Sequence, residues 1–207
     1  MKISKIEPQK KNKTRSTIFI DGKFGFGLSN DIVVKFGLSA GDEIDNDLIK
    51  NVLLEQEKQK IRGRALRFLH YRKRSVQELT ARLLRIGFDR SLVEGVIDEL
   101  IEDKTLNDDD FAESYIADHT ALKPKGNIFI RRELGKMGIA KETIDRLVRN
   151  RDERHIVEGF LQKMLAHLNI AHPKDRRTIL RRLLTRGFTP GVVYDVVNEH
   201  EEQRTAQ

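Results

Sequence analysis

The spacing of apolar residues changes character once, near residue 46. Ahead of that point the chain reads as β. Ile3-Ser-Lys-Ile6 alternates, Gln9–Arg15 is a polar, Lys-rich loop, and Thr17-Ile-Phe-Ile20 is a β-branched and aromatic run. Asp21-Gly22 is a strong hairpin turn, and Phe24-Gly-Phe-Gly-Leu28 returns from it. Ser29–Phe36 is predicted as a short helix capped by Ser29 or Asn30, with a turn over Gly37–Asp42. Ile18, Phe19, Phe24 and Phe26 are expected to form a small core with Ile32 and Val33, leaving the module dispensable for folding of the rest. From Asp47 the period becomes helical, and no later segment alternates with period two.

The helical part repeats. With Gly87, Gly138 and Gly187 in register, Leu79, Ile130 and Ile179 stand eight residues earlier, and Leu83, Leu134 and Leu183 stand four earlier. Phe88, Ile139 and Phe188 follow directly; Val93, Ile144 and Val193 come six later. Val96-Ile97, Leu147-Val148 and Val196-Val197 complete the pattern. These spacings put the apolar residues on one face of two helices, with each Gly closing the first of them as a helix-reversal residue. A further helix precedes each pair, at Ala65–Tyr71, Phe111–His119 and Ile156–Leu168. The predicted class is mainly α: three tandem three-helix, helix-turn-helix-like repeats, elongated, preceded by a small N-terminal β-rich module. The boundaries expected are 1–46 for the module, 47–62 for a helical linker, and 63–106, 107–152 and 153–207 for the repeats. Ser75-Val-Gln-Glu78 looks like a capping box, and Thr189-Pro190 like a helix start.

Composition narrows the chemistry. The 207 residues hold no Cys, which excludes disulfides, thiolate zinc sites and Cys nucleophiles. No apolar run is long enough for a membrane helix, and the basic N-terminus lacks the apolar core of a secretory signal, so a cytoplasmic location is expected. No phosphate-binding loop is present; Gly25-Phe-Gly27 is a fragment inside a hairpin. The six His are scattered, with no pair at the i, i+4 spacing of a helical zinc motif. Asp108-Asp109-Asp110 suits a helix cap and acidic first turn better than a metal site, because consecutive helical residues diverge. No cofactor, no metal and no catalytic residue are expected.

The net charge is +7, from 39 basic and 32 acidic residues. The surplus is clustered rather than gathered in a tail. Arg67, Arg72 and Arg74 precede the second helix of the first repeat, and Arg82 and Arg85 lie on it. Arg131, Arg132 and Lys136 lie on the second helix of the second repeat, and Arg177, Arg181, Arg182 and Arg186 on that of the third. In the glycine register Arg132 matches Arg181, and Arg82 matches Arg182. Such clusters suit an anionic partner. A reader of DNA bases would carry its basic residues on the last helix, yet the last helix of the first repeat holds Glu94, Asp98, Glu99, Glu102 and Asp103. The pattern fits a surface that follows a long, regular partner.

Leu106-Asn-Asp-Asp-Asp-Phe-Ala-Glu-Ser-Tyr115, Gly126 and Ile130-Arg-Arg-Glu-Leu-Gly-Lys-Met-Gly-Ile139 together resemble the central signature of the RecX regulatory proteins. Leu79–Phe88 and Leu180–Phe188 look like the flanking repeats of that family; residues 1–60 fall outside the core signature, and their β part resembles N-terminal extensions found in some members. The resemblance implies a cytoplasmic modulator of the RecA recombinase, and the chain is expected to be non-enzymatic, in line with the missing constellations, and monomeric. Its members lie along the groove of the RecA–single-stranded-DNA filament and inhibit ATPase and strand exchange, in recombination and the SOS response. The basic residues above would then contact filament or DNA. A different function compatible with the same residues is a DNA-binding module that coats single- or double-stranded DNA without RecA.

Overall fold

The computed structural model describes residues 1–205. It opens on an antiparallel sheet in the order β1 (Ile3–Pro8), β2 (Arg15–Ile20), β3 (Lys23–Ser29). Asp21 and Gly22 both take positive φ, 48° and 78°, as a two-residue turn matching strand twist requires. The register shifts between Ile18↔Phe26 and Phe19↔Phe24, so Gly25 is an extra residue in β3. That bulge breaks the alternation, and Phe24 is left 69% exposed rather than joining Leu28 in the core. Ser29 caps the short α1 (Asn30–Lys35), its hydroxyl accepting from the Ile32 amide.

α2 runs unbroken from Asn46 to Tyr71, opened by Asp45, whose carboxylate accepts from the Leu48 amide at 2.7 Å. Its 26 residues span about 39 Å. Nothing in residues 47–71 breaks a helix: no Pro occurs, and Gly63 faces open space. The linker and the first helix of the first repeat are therefore one element. The module's core is Ile3, Ile18, Leu28, Ile32, Leu38 and Ile44 closed by Val52 of α2, with Leu48 and Ile49 packed against it. Buried Gln56 accepts from the Ser29 amide at 2.6 Å. This overturns the expectation of a self-contained β core: removing residues 1–45 would strip the apolar cover from the N-terminal half of α2.

Three helix pairs follow, α3 (Val76–Ile86) with α4 (Arg90–Glu102), α6 (Asn127–Lys136) with α7 (Lys141–Arg149), and α9 (Pro173–Thr185) with α10 (Pro190–Thr205). α5 (Asp108–Ala121) and α8 (Glu153–Leu165) precede the second and third pairs as α2 precedes the first. The register positions named from the sequence are buried in all three: Leu79, Leu83 and Val93; Ile130, Leu134 and Ile144; Ile179, Leu183 and Val193. Gly87, Gly138 and Gly187 close α3, α6 and α9 at φ 100°, 82° and 78°. The repeat fold is thus a mainly α architecture with a small N-terminal sheet.

The chain packs as two units. One holds Met1–Arg72 and Thr80–Leu100, the other Lys73–Leu79 and everything from Ile101 onward. Within the second unit, two equivalent joints recur. Val76, eleven residues before Gly87, donates its amide to Asp108 at the start of α5, at 2.8 Å. Asn127, eleven before Gly138, donates its amide to buried Glu153 at the start of α8, at 2.6 Å. The reversal glycines complete the joints: a Cβ on Gly138 would overlap the Gln77 amide oxygen, and one on Gly187 would sit 2.7 Å from the Phe129 backbone nitrogen. Gly126, directly before α6, is pressed against the Gly187 carbonyl in the same way, its own amide donating to the Arg186 carbonyl at 3.0 Å. The acidic run therefore does more than cap its own helix, whose N-cap is Asn107. Asp108 meets the Val76 amide of α3, and Asp109 accepts from Thr143 at 2.9 Å and Arg146 at 2.6 Å.

Two expectations follow. Substituting Ala should cost least at Gly87, where a Cβ meets nothing, more at Gly138, where a side chain must move, and most at Gly187, where backbone blocks it. The positive φ alone costs about 1 kcal/mol, and thermal melting of the three variants would give the order. Ser75 caps α3 as its sequence suggests, its hydroxyl accepting from the Glu78 amide at 3.1 Å. Asp108→Ala should therefore cost about 1 kcal/mol by leaving the Val76 amide without its carboxylate, while Asp108→Asn keeps an acceptor. Burial raises the Asp108 pKa above the usual carboxylate value, partly offset by the Val76 amide. A raised folded-state pKa penalises the ionised form, and the penalty disappears as pH falls through it. The stability advantage of Asp108→Asn over the wild type should accordingly shrink from pH 7 toward pH 4 in denaturant titrations.

Candidate basic interface

The basic residues of α9 are aimed by its buried face. Ile179 and Leu183 are fully buried, which leaves Arg177, Arg181 and Arg182 on the outer surface. Arg186, at the end of the helix, lays its guanidinium 4.4 Å over the Phe160 ring and donates to the Pro124 carbonyl at 3.1 Å. Between α8, α9 and the α5–α6 loop lies an open cleft of about 530 Å³ lined by Lys125, Phe160, Met164, Arg181, Arg182, Thr185 and Arg186. Four of those residues are cations and none is an acid. Arg181 and Arg182 have no ion-pair partner among the described residues.

Lys125 is held in place by the loop that carries it. Half-buried Arg151 donates to the His119 and Lys125 carbonyls, at 3.0 and 2.6 Å, and to Thr120 and Asn127 side chains, both at 2.8 Å. Burial lowers the Arg151 pKa and Glu153 opposes the shift. Tyr115, His119 and Phe129 stack beneath the loop, with ring centroids 4.1 and 5.9 Å apart. The Lys125 ammonium stands 4.6 Å above Phe129, and the Arg132 guanidinium 5.4 Å from the same ring. Basic surface thus runs from Arg132 across Phe129 and Lys125 into the α9 cleft.

The stripe is uneven. Glu133 occupies the register position held by Arg82 and Arg182 elsewhere, and it accepts from Lys136 at 3.1 Å and Arg132 at 2.9 Å. Those hydrogen bonds, from Lys136 first and then Arg132, hold the Glu133 carboxyl below its usual pKa. Arg131 pairs with Asp145 of α7. In the first unit, Arg64 and Arg82 flank the Phe68 ring at 5.3 and 4.6 Å, while Arg67, Arg72 and Arg85 are exposed. Arg177 spends one donor on the Pro173 carbonyl of its own helix, at 3.3 Å.

Arg74 does not belong to this surface. It is 5% exposed and its guanidinium lies 3.3 Å from the Glu78 carboxylate, a buried cation inside a helix start with nothing to offer a phosphate. The cationic clusters also omit Lys125, Phe129 and Phe160: Lys125 lies in the α5–α6 loop, Phe160 on α8, the first helix of its repeat, and Phe129 is an aromatic of α6 that a count of charges passes over. Glu133 could have been found, since the glycine register puts it where arginines stand in the other repeats. The acidic last helices are partly occupied by the chain's own cations: Arg62 reaches Glu99 at 3.5 Å, Arg176 reaches Glu201 at 2.9 Å, and Arg154 pairs with Glu199. Among the described residues no group of His, Asp and Glu could hold a metal ion, and no helix is long and apolar enough to cross a membrane.

Comparison with known proteins bears on this surface. Three family models match in chain order: the regulatory protein RecX N-terminal domain over residues 1–45, the RecX first three-helix domain over 62–100, and the second over 107–147. The regulatory proteins RecX of Bacillus velezensis and Bacillus subtilis are each 32% identical over 205 residues, covering 97% of this chain and 76% of theirs. That of Clostridium botulinum strain Alaska E43 is 28% identical over 204 residues, covering 96% and 95%. A crystal structure of regulatory protein RecX superposes with a TM-score of 0.77 at 25% identity, over 96% of this chain and 98% of that one. RecX from Lactobacillus salivarius shares the fold, with a TM-score of 0.61 over 69% of this chain. The relatives are named as regulators, not enzymes. The β module, which sequence reading set outside the core signature, matches the family's own N-terminal domain. This chain belongs to the RecX family of regulatory proteins.

Proposed function

We propose that this chain binds the RecA–single-stranded-DNA filament as a monomer and inhibits its ATPase and strand exchange, in cytoplasmic control of recombination and the SOS response. The supporting observation is the α9 cleft: Lys125, Arg181, Arg182 and Arg186 with no acid among them, continuous with Arg132 through Phe129. Clustered cations beside aromatic rings suit a partner with regularly spaced negative charge. The remaining exposed cations, Arg67, Arg72, Arg82, Arg85, Arg131, Lys136 and Arg177, extend the same role at lower weight where an acid or a carbonyl already holds them. An action by binding rather than by catalysis accords with the relatives, which are named regulatory proteins.

RecA-driven ATP hydrolysis titrated with this protein tests the reading. The chain alone should hydrolyse no ATP with or without Mg²⁺. Wild-type chain should suppress the RecA rate, and Arg181→Glu with Arg182→Glu should shift the midpoint by about tenfold or more at physiological salt. Each lost phosphate contact should flatten the salt dependence by about 0.7–0.9 units. Arg132→Glu alone should act more weakly, because Glu133 already draws on that cation. Full inhibition by a folded double variant would remove the cleft as the contact surface. Tight binding to bare DNA with no effect on RecA would favour a RecA-independent coat.

A further inference from the structure

The β1–β2 connection presents Lys10, Lys11 and Lys13 on a hairpin tip, far in sequence from the α9 cleft. All three are exposed and have no ion pair among the described residues. The tip is built rather than slack. The Gln9 amide donates to the Arg15 carbonyl at 2.9 Å, and the Arg15 amide to the Asn12 carbonyl at 3.1 Å. The Asn12 side chain accepts from the Thr14 amide and hydroxyl, at 3.0 and 2.7 Å. Asn30, at the start of α1, clamps the far side: its side chain donates to the Lys13 carbonyl and its amide to the Thr14 carbonyl, both at 2.9 Å. Arg15 is not part of the charged face, since its guanidinium bonds the Gly27 carbonyl at 2.9 Å. Of the acids near in sequence, Glu7 is taken by Lys5 at 2.5 Å, and Asp31 follows the Asn30 anchor on α1.

We infer that this tip is a second nucleic-acid contact, in which Lys10, Lys11 and Lys13 engage the phosphodiester backbone without reading sequence. Three observations favour DNA over a protein surface. From Gln9 to Arg15 the tip has no apolar or aromatic side chain, whereas protein hot spots are built on buried aromatic and Arg anchors. Lysine supplies compact point charges suited to phosphates, without the fork that specifies a planar partner. Asn12 would read an adenine edge with its Oδ1 and Nδ2 together, and its Oδ1 is engaged in holding the loop. What remains is charge on a narrow, ordered hairpin, the composition of a sequence-independent backbone contact. Because α2 carries both the module core and the first helix of the first repeat, the tip sits on the same continuous helix frame as the repeat that follows.

The inference is independent of the filament reading, and its test contains no RecA. Full-length wild type and Lys10→Gln/Lys11→Gln/Lys13→Gln would be titrated against labelled oligo-dT and a mixed-sequence duplex over a salt series. The matching triple Lys→Arg variant and thermal melting serve as controls. Wild-type binding should fall with salt, and in the Gln variant the loss between about 50 and about 200 mM salt should be roughly twenty- to forty-fold smaller. The Arg variant should behave as wild type. Weakening on one DNA form alone would identify which form the tip meets. Unchanged affinity and slope on both forms would overturn the inference. So would unchanged DNA binding accompanied by lost binding to phosphatidylglycerol vesicles, which would assign the tip to a membrane surface.

Discussion

The first turn of a helix leaves amide donors that need partners, and in the second unit those donors are met from the next repeat along the chain. Asp108 takes the Val76 amide and Glu153 takes that of Asn127, each from the start of the following repeat's first helix. The reversal glycine of that following repeat then seats against the same helix start, Gly138 against Gln77 and Gly187 against Phe129. A carboxylate brought out of water is costly unless hydrogen-bonded, and Glu153 answers this by accepting from both Asn127 and Thr189, at 2.6 and 3.3 Å. The glycine provides the close approach that makes such bonds reachable.

That constraint places the basic cleft. Gly187 and Arg186 are fixed against the α5–α6 loop through the Gly126 and Ile128 amides, which donate to the Arg186 and Gly187 carbonyls at 3.0 Å. The same loop is tied down by Arg151 and carries Lys125. Cations from two repeats therefore share one cleft without relying on ion pairs to position them. Exposed ion pairs stabilise little, so the pairing of Arg132 and Lys136 with Glu133 is better understood as a damper on the charge of the second repeat than as a structural bond.

Much of this was legible beforehand. Gly87, Gly138 and Gly187 announced the repeats because only a residue tolerant of positive φ ends a helix that way, and the apolar positions in register with them are the buried ones. Helix capping at Ser29 was legible from its own short-range chemistry. Properties that depend on what lies opposite were not. Arg74 reads as one more cation in a cluster until its neighbours bury it. Phe24 reads as core until one extra residue, Gly25, turns it outward. The acidic run at Asp108–Asp110 shows its helix from sequence but not the second helix it reaches, because that contact spans 32 residues.

The distribution of charge also bears on what kind of partner the chain can hold. A helix-turn-helix reader concentrates donors on the last helix and aims them at base edges. Here α4 and α10 are the acidic elements, and their carboxylates are partly neutralised by Arg62, Arg176 and Arg154 from other helices. The cations instead lie on second helices whose rotation is fixed by buried residues eight and four positions before each glycine. These positions recur only in part, with Arg82 and Arg182 matched by Glu133 and with Arg132 matched by Arg181, and charges so placed lack the paired donors and acceptors that reading a unique short sequence requires. Weak, salt-sensitive contacts to a charged polymer add up where cations recur, and they read no sequence.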